Sequence, residues 1–143
     1  MQAKNDRITE YKFNLIYMEQ VEKIRHSLAH LLASAVMEFW PKTKLAIGPA
    51  IENGFYYDIE IKDLKPEDLQ KIESRMKELI QENQEFIGKK VTKIAAKKLF
   101  KSQPYKLELI KDIQEKTVGT YQNGNFLDLC KGGHVENTKE IDP

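Results

Sequence analysis

The chain has a single cysteine, Cys130, so an internal disulfide is excluded, and a lone thiol fits a reducing cytosol. It lacks an apolar run long enough for a bilayer. The longest near-continuous stretch, Leu28 to Val36, is interrupted by His30 and Ser34 and falls far short of the ~20 residues a span needs. The opening segment, MQAKNDRITEYKF, is charged and has no apolar signal core, which argues against a secretory signal. Charge of one sign is also missing: a net charge of +1 gives no global pull towards a polyanion. No internal repeat or low-complexity tract occurs. What is present is 143 residues with 41% apolar content, enough for one domain with a real core.

The even total hides an uneven distribution. Between Lys89 and Lys106 stand seven lysines and no acid, whereas Asp58 to Glu82 is rich in acids. A local lysine field that includes Lys97, Lys98 and Lys101 can hold phosphates even on a near-neutral domain. A solvated surface stretch accounts for it equally well.

Residues 1–17 are polar and end in an alternation of Tyr11, Phe13, Leu15 and Tyr17, read as a strand or an ill-ordered leader. From Met18 to about Trp40 the apolar spacing of Ile24, Leu28, Leu31 and Ala35 predicts a helix, which Pro41 stops. Gly48-Pro49 and Asn53-Gly54 mark a loop, and Phe55 to Ile61 reads as a strand. Pro66 opens a second helix with a predicted stripe of Leu69, Ile72, Met76 and Leu79. A strand over Glu85–Thr92 and short helices over Ile94–Phe100 and Pro104–Ile113 follow. Thr117–Tyr121 and Phe126–Cys130 flank an Asn-Gly turn and predict a hairpin. Helices mixed with antiparallel strands, without a βαβ rhythm, indicate an α+β fold: an antiparallel sheet packed against helices, with a cleft between the long N-terminal helix and the sheet. Residues 1–20 are read as a leader and 21–143 as the domain.

All three histidines and the cysteine fall into two short motifs, His26-Ser-Leu-Ala-His30 and Cys130-Lys-Gly-Gly-His134. Positions four apart lie one helical turn above each other, so His26 and His30 share a face. Ala29, Ala33 and Met37 accompany them where a solvated face would carry Lys and Glu. The helix is therefore apolar nearly all round, and both faces are expected to be covered. Asp128 and Cys130 alternate onto one side of their strand, with Leu127 and Leu129 on the other. Gly132-Gly133 lets the chain turn so that His134 swings back towards Cys130. Each residue has a bland reading alone: an incidental His pair, a small buried thiol, an Asp that caps a turn. None explains the coincidence. Three imidazoles and a thiolate make a tetrahedral zinc set; the alternative is a metal-free site that orients water by hydrogen bonds.

The blocks RHSLAHLLASAV, LAIGPAIENGFYYD, QPYKLELI and FLDLCKGGHVENT, in this order and spacing, resemble the second N-terminal domain of threonyl-tRNA synthetases. The likeness runs from about Glu22 to Asp142. Alanyl-tRNA synthetase editing domains share the HxxxH and CxxxH skeleton. The resemblance implies a domain that hydrolyses serine wrongly esterified to the terminal adenosine of tRNA(Thr), in the cytoplasm. It would be joined to the catalytic and anticodon-binding domains of a parent synthetase, or stand free. By the same resemblance His26, His30, Cys130 and His134 line the cleft, Lys106 and Asp128 match further functional positions, and Tyr57 and Gly48 match residues of the amino-acid and adenosine pocket. The implied roles are water and proton handling for His26 and Lys106, the amino acid for Asp128 and Cys130, and cleft geometry for His30 and His134. The implied partner is the acceptor end of tRNA(Thr), with Lys97, Lys98 and Lys101 as candidate phosphate contacts. No cofactor is favoured; zinc on His26, His30, Cys130 and His134 belongs to the alanyl-type alternative, and a catalytically silent tRNA-binding module is a third reading. The sequence departs from the family at Gly133, where proline is common, and this predicts a looser turn before His134.

Overall fold

The computed structural model describes residues 2–143, with side chains described for residues 9, 10 and 12–143. Helix α1 runs from Gln2 to Phe39, about 57 Å at 1.5 Å per residue. It ends where Pro41 removes the next donor. This overturns the expected strand over residues 11–17. Phe13, Ile16 and Tyr17 recur at helical spacing and extend the stripe of Ile24 and Leu28 towards the N-terminus. They are nevertheless 60–69% exposed, because among the described residues no other element covers that part of α1.

The second half of α1 is covered on both sides, as its small-residue composition requires. One face, with Leu31, Ala35 and Val36, packs on Ile72, Leu79 and Ile80 of helix α2 (Asp68–Gln81), together with Phe86, Val135 and Ile141. The other face, with Ala29 and Ala33, meets Leu45, Tyr57 and Phe126. Leu69, expected in the buried stripe of α2, is 61% exposed. It lies in the first turn, beyond the reach of α1, and the stripe continues instead through Ile80.

Two small antiparallel pairs cross one side of α1. Strand β1 (Lys44–Leu45) pairs with β4 (Ile59–Glu60), and β2 (Ala50–Ile51) pairs with β3 (Gly54–Phe55). The expected single strand over 55–61 is thus broken. Tyr56 to Asp58 leave regular pairing, although Asp58 still exchanges main-chain bonds with Ala46 and Ile47. The main sheet is antiparallel, with β6 (Thr117–Asn123) between β5 (Phe86–Thr92) and β7 (Phe126–Leu129). Helices α3 (Lys93–Leu99) and α4 (Pro104–Asp112) close a third core cluster of Ala96, Phe100, Ile110 and Val118 against β6. The architecture is α+β. Among the described residues no helix is long and apolar enough to cross a membrane.

Candidate active site

Strand β7 carries Phe126 and Asp128 towards α1 and turns Leu127 and Leu129 towards the third cluster, the alternation a pleated strand imposes. The main-chain amide of Cys130 then donates to the Gly119 carbonyl at 3.0 Å, extending the pairing by one residue. Beyond it, Gly132 and Gly133 take φ values of 115° and 88°. These left-handed conformations suit glycine, and they fold His134 back onto Cys130. Cys130 Sγ lies 3.3 Å from His134 Nε2 and 3.5 Å from His26 Nε2. One ligand atom from each of His26, His30, Cys130 and His134 lies within 4.8 Å of the other three. The His134 ring is stacked between Phe86, at 4.9 Å, and His26, at 4.0 Å.

A charged pair sits behind this cluster. Asp128 Oδ1 lies 2.7 Å from Lys106 Nζ, and its Oδ2 lies 3.4 Å from His30 Nε2. The Tyr57 hydroxyl donates to Asp128 Oδ2 at 2.6 Å and accepts from Lys106 Nζ at 2.8 Å. Lys106 also donates to the Ala46 carbonyl, completing its three partners. Gly48 is needed for packing: a Cβ there would collide with the Tyr57 ring. Gly48, Tyr57, Lys106, Asp128 and the four cleft residues therefore form one contiguous network. Lys97, Lys98 and Lys101 lie outside it on the exposed surface of α3 and the turn that follows.

Burial dominates the electrostatics. It lowers the pKa of His30 to about 3 and of His134 to about 2, with neighbouring imidazoles adding to the effect. It also lowers that of His26, against a partial upward pull from the Gly133 carbonyl. The Cys130 thiol is pushed up to about 11 by the same loss of hydration, and burial raises the Tyr57 phenol as well. At neutral pH the cleft thus contains three neutral imidazoles, each with one N–H and one lone pair, beside a thiol. Of the three, His26 is the one that lines a cavity of about 440 Å³, with Glu19, Glu22, Pro49, Ala50 and Gly133 around it.

The donor set also suits one metal ion. Tetrahedral zinc with nitrogen and sulfur ligands needs ligand–ligand edges of about 3.3–3.6 Å, and the two sulfur–nitrogen distances already meet this. His30 Nδ1, buried without a hydrogen-bond partner, is a free donor atom in the same cluster.

Two expectations need revision. Asp128, for which the resemblance implies a contact with the amino acid, is 3% exposed and occupied by Lys106, Tyr57 and His30. Gly133 does not merely loosen the turn. Its φ of 88° cannot be adopted by proline, whose ring fixes φ near −65°. The sequence reading missed Ser27, which is fully buried between the two histidines of α1 and bonded to His134. The only signal was a polar residue one position away from a histidine, on a stretch of helix covered on both sides.

No family profile matches the chain. Curated relatives do. A threonine–tRNA ligase of Dehalococcoides mccartyi is 49% identical over 125 residues, covering 87% of this chain and 22% of the relative. One from Thermotoga petrophila is 52% identical over 124 residues, covering 84% and 19%, and one from Borrelia hermsii is 46% identical over 123, covering 85% and 21%. The chain spans about a fifth of the length of the curated relatives it matches. About half of the aligned positions are identical along most of its length, so the chain is homologous to one segment of these longer threonine–tRNA ligases.

Proposed function

We propose that residues 21–143 form an editing domain that hydrolyses the ester between serine and the terminal adenosine of tRNA(Thr), in the cytoplasm, beside the catalytic and anticodon-binding domains of a parent synthetase. One observation carries the reading: every histidine and the only cysteine of the chain converge beside a cavity large enough for an aminoacyl group, on a chain about half identical to a segment of threonine–tRNA ligases.

An aminoacyl ester is activated enough that an oriented water, a proton acceptor and donors for the oxyanion suffice. His26 lines the cavity and is neutral at neutral pH, so it is the proton acceptor for the attacking water. His134 and Cys130 close the cleft beside it, and His30 joins them to the charged pair. Lys106 acts through Asp128 and His30 rather than by touching water, because it is 3% exposed. It holds a fixed positive charge behind the cleft where negative charge develops. Serine and threonine differ by one methyl group, so the pocket must select by exclusion. Lost apolar contact alone is worth only about 1–3 kcal/mol, whereas steric overlap is steeper.

Release of serine from seryl-tRNA(Thr) by the purified protein tests this reading. The protein should hydrolyse the ester, and His26→Ala should reduce the rate by roughly 100-fold or more, the usual worth of a general base. A protein without activity would be a silent tRNA-binding module. The spacing of the four donor atoms supports a second reading, an alanyl-type deacylase in which His26, His30, Cys130 and His134 hold zinc and the ion polarises water. Metal content of active protein separates the two.

A further inference from the structure

Ser27 lies between the two histidines of α1, is fully buried, and makes two hydrogen bonds. It accepts from the Val135 main-chain amide at 3.1 Å, and its Oγ is 3.1 Å from His134 Nδ1. We infer that Ser27 is a positioning residue that fixes which nitrogen of His134 carries the proton, and with it the direction of the His134–Cys130 hydrogen bond. The inference rests on the cleft being the hydrolytic site.

A hydroxyl has one proton and two lone pairs. The Val135 amide can only donate, so it takes one lone pair. Were Ser27 also to accept from His134 Nδ1, its own proton would point into a closed interior with no acceptor among its bonds. A buried donor left unmade is costly, whereas rotating the hydroxyl is not. Ser27 therefore donates to Nδ1. A neutral His134 then carries its proton on Nε2 and donates to Cys130 Sγ, 3.3 Å away. The Gly132 amide also donates to that sulfur, at 3.3 Å. With two N–H groups directed at it, the thiol has two acceptors left for its own proton, the Gly132 carbonyl at 3.9 Å and His26 Nε2 at 3.5 Å, and the nearer is His26 Nε2.

The other end of the chain gives the same direction independently. His26 Nδ1 lies 3.3 Å from the Gly133 carbonyl, which can only accept. Nδ1 therefore holds the proton and Nε2 is a bare lone pair, ready for the thiol at rest and for water during reaction. Two main-chain groups on either side of His134, the Gly133 carbonyl and the Val135 amide, thus pin the two histidines in opposite tautomers. His26 presents a proton acceptor to the cleft and His134 a proton donor. The same arrangement weighs against a metal ion. Ligation through His134 Nε2 would move its proton to Nδ1 and leave the Ser27 hydroxyl without an acceptor.

With only three histidines, the imidazole nitrogen NMR shifts of isotopically labelled protein test the inference directly. Wild type should show His134 protonated on Nε2 and bare on Nδ1, with His26 the reverse. Ser27→Ala should give a mixture of His134 tautomers and a fall in kcat of about tenfold for seryl-tRNA(Thr), the worth of one ordinary hydrogen bond, at little changed KM. His134 protonated on Nδ1 in wild type, or an unaltered His134 tautomer in Ser27→Ala, would overturn the assignment. The wild-type spectrum decides alone if the variant does not fold. Protein with the assigned tautomers but no hydrolysis of seryl-tRNA keeps the role of Ser27 in the proton arrangement and overturns the proposed function instead.

Discussion

Lys106 Nζ lies 2.7 Å from Asp128 Oδ1, and both side chains are 3% exposed. The role in water and proton handling that the resemblance implies for Lys106 would make Lys106→Ala weaken hydrolysis far more than folding. Burial reverses that expectation, because removing one partner strands the other's charge in the interior. Lys106→Ala should cost about 3–5 kcal/mol of stability. The double variant Lys106→Met/Asp128→Leu should recover most of that loss while hydrolysis of seryl-tRNA stays abolished. Denaturant unfolding of the single and double variants measures the first effect, and single-turnover deacylation the second. A Lys106→Ala protein as stable as wild type would show that the pair is not buried as described.

Acid should destabilise the protein before its carboxylates titrate. Burial holds His30 at about 3 and His134 at about 2, against an ordinary 6.5. Between these values and 6.5 the unfolded chain binds protons at both positions and the folded chain does not. Stability therefore rises with pH and is lost as pH falls below about 6.5. Each histidine contributes up to about 1.4 kcal/mol per pH unit where the unfolded form is fully protonated. Unfolding free energies at pH 7, 6 and 5 should decline with steepening slope, and His134→Phe should flatten it. A stability that is level from pH 7 to 5 would contradict the assigned burial of both rings.

The sequence was most legible where pattern and packing coincide. The small-residue faces of α1 foretold a helix covered on both sides, and the alternation of Leu127, Asp128 and Leu129 foretold which side of β7 faces the cleft. The convergence of the two motifs was legible because the chain carries no other histidine or cysteine. It was least legible where tertiary distance decides. Phe13, Ile16 and Tyr17 continue a helical stripe, but nothing in a sequence says that α2 and the sheet stop short of them. Leu69 failed for the same reason. The depth of Lys106 and Asp128 was hidden too, since a lone Lys and a lone Asp nearly always read as solvated. Ser27 was passed over because its importance lies in the direction of a proton, which no spacing records.

Gly133→Pro should not tighten the cleft. Its φ of 88° is closed to proline, so the substitution must reshape the turn that carries His134. The Gly133 carbonyl, 3.3 Å from His26 Nδ1, would move with it. The expected result is a loss of about 2–4 kcal/mol, in the range of misplaced proline, with weaker hydrolysis and no gain in preference for serine. Thermal melts and paired deacylation assays check both. A stable variant with sharper selectivity would show that the turn tolerates a different path.

If Lys97, Lys98 and Lys101 contact tRNA phosphates, replacing all three with alanine should weaken binding and lower the salt slope of log Kd by about 2, most of one counterion per lysine. Their exposure makes a folding effect small. Lys97 and Lys98 in the last turn of α3 favour its dipole by only a few tenths of a kcal/mol each. Binding titrations across a salt series decide the matter, and identical slopes would leave this surface merely solvated.

The central claim is selective hydrolysis, and it is tested most directly by parallel deacylation of seryl-tRNA(Thr) and threonyl-tRNA(Thr) by the wild-type protein, before and after exhaustive chelation. The account predicts hydrolysis of the seryl ester at least ~1,000-fold faster than the threonyl ester, beyond the roughly 10–200-fold that contact with one methyl group gives. It also predicts that chelation leaves that ratio and the seryl rate unchanged. Equal rates on the two esters would contradict the editing function, and a seryl rate abolished by chelation and restored by zinc would contradict the metal-free cleft.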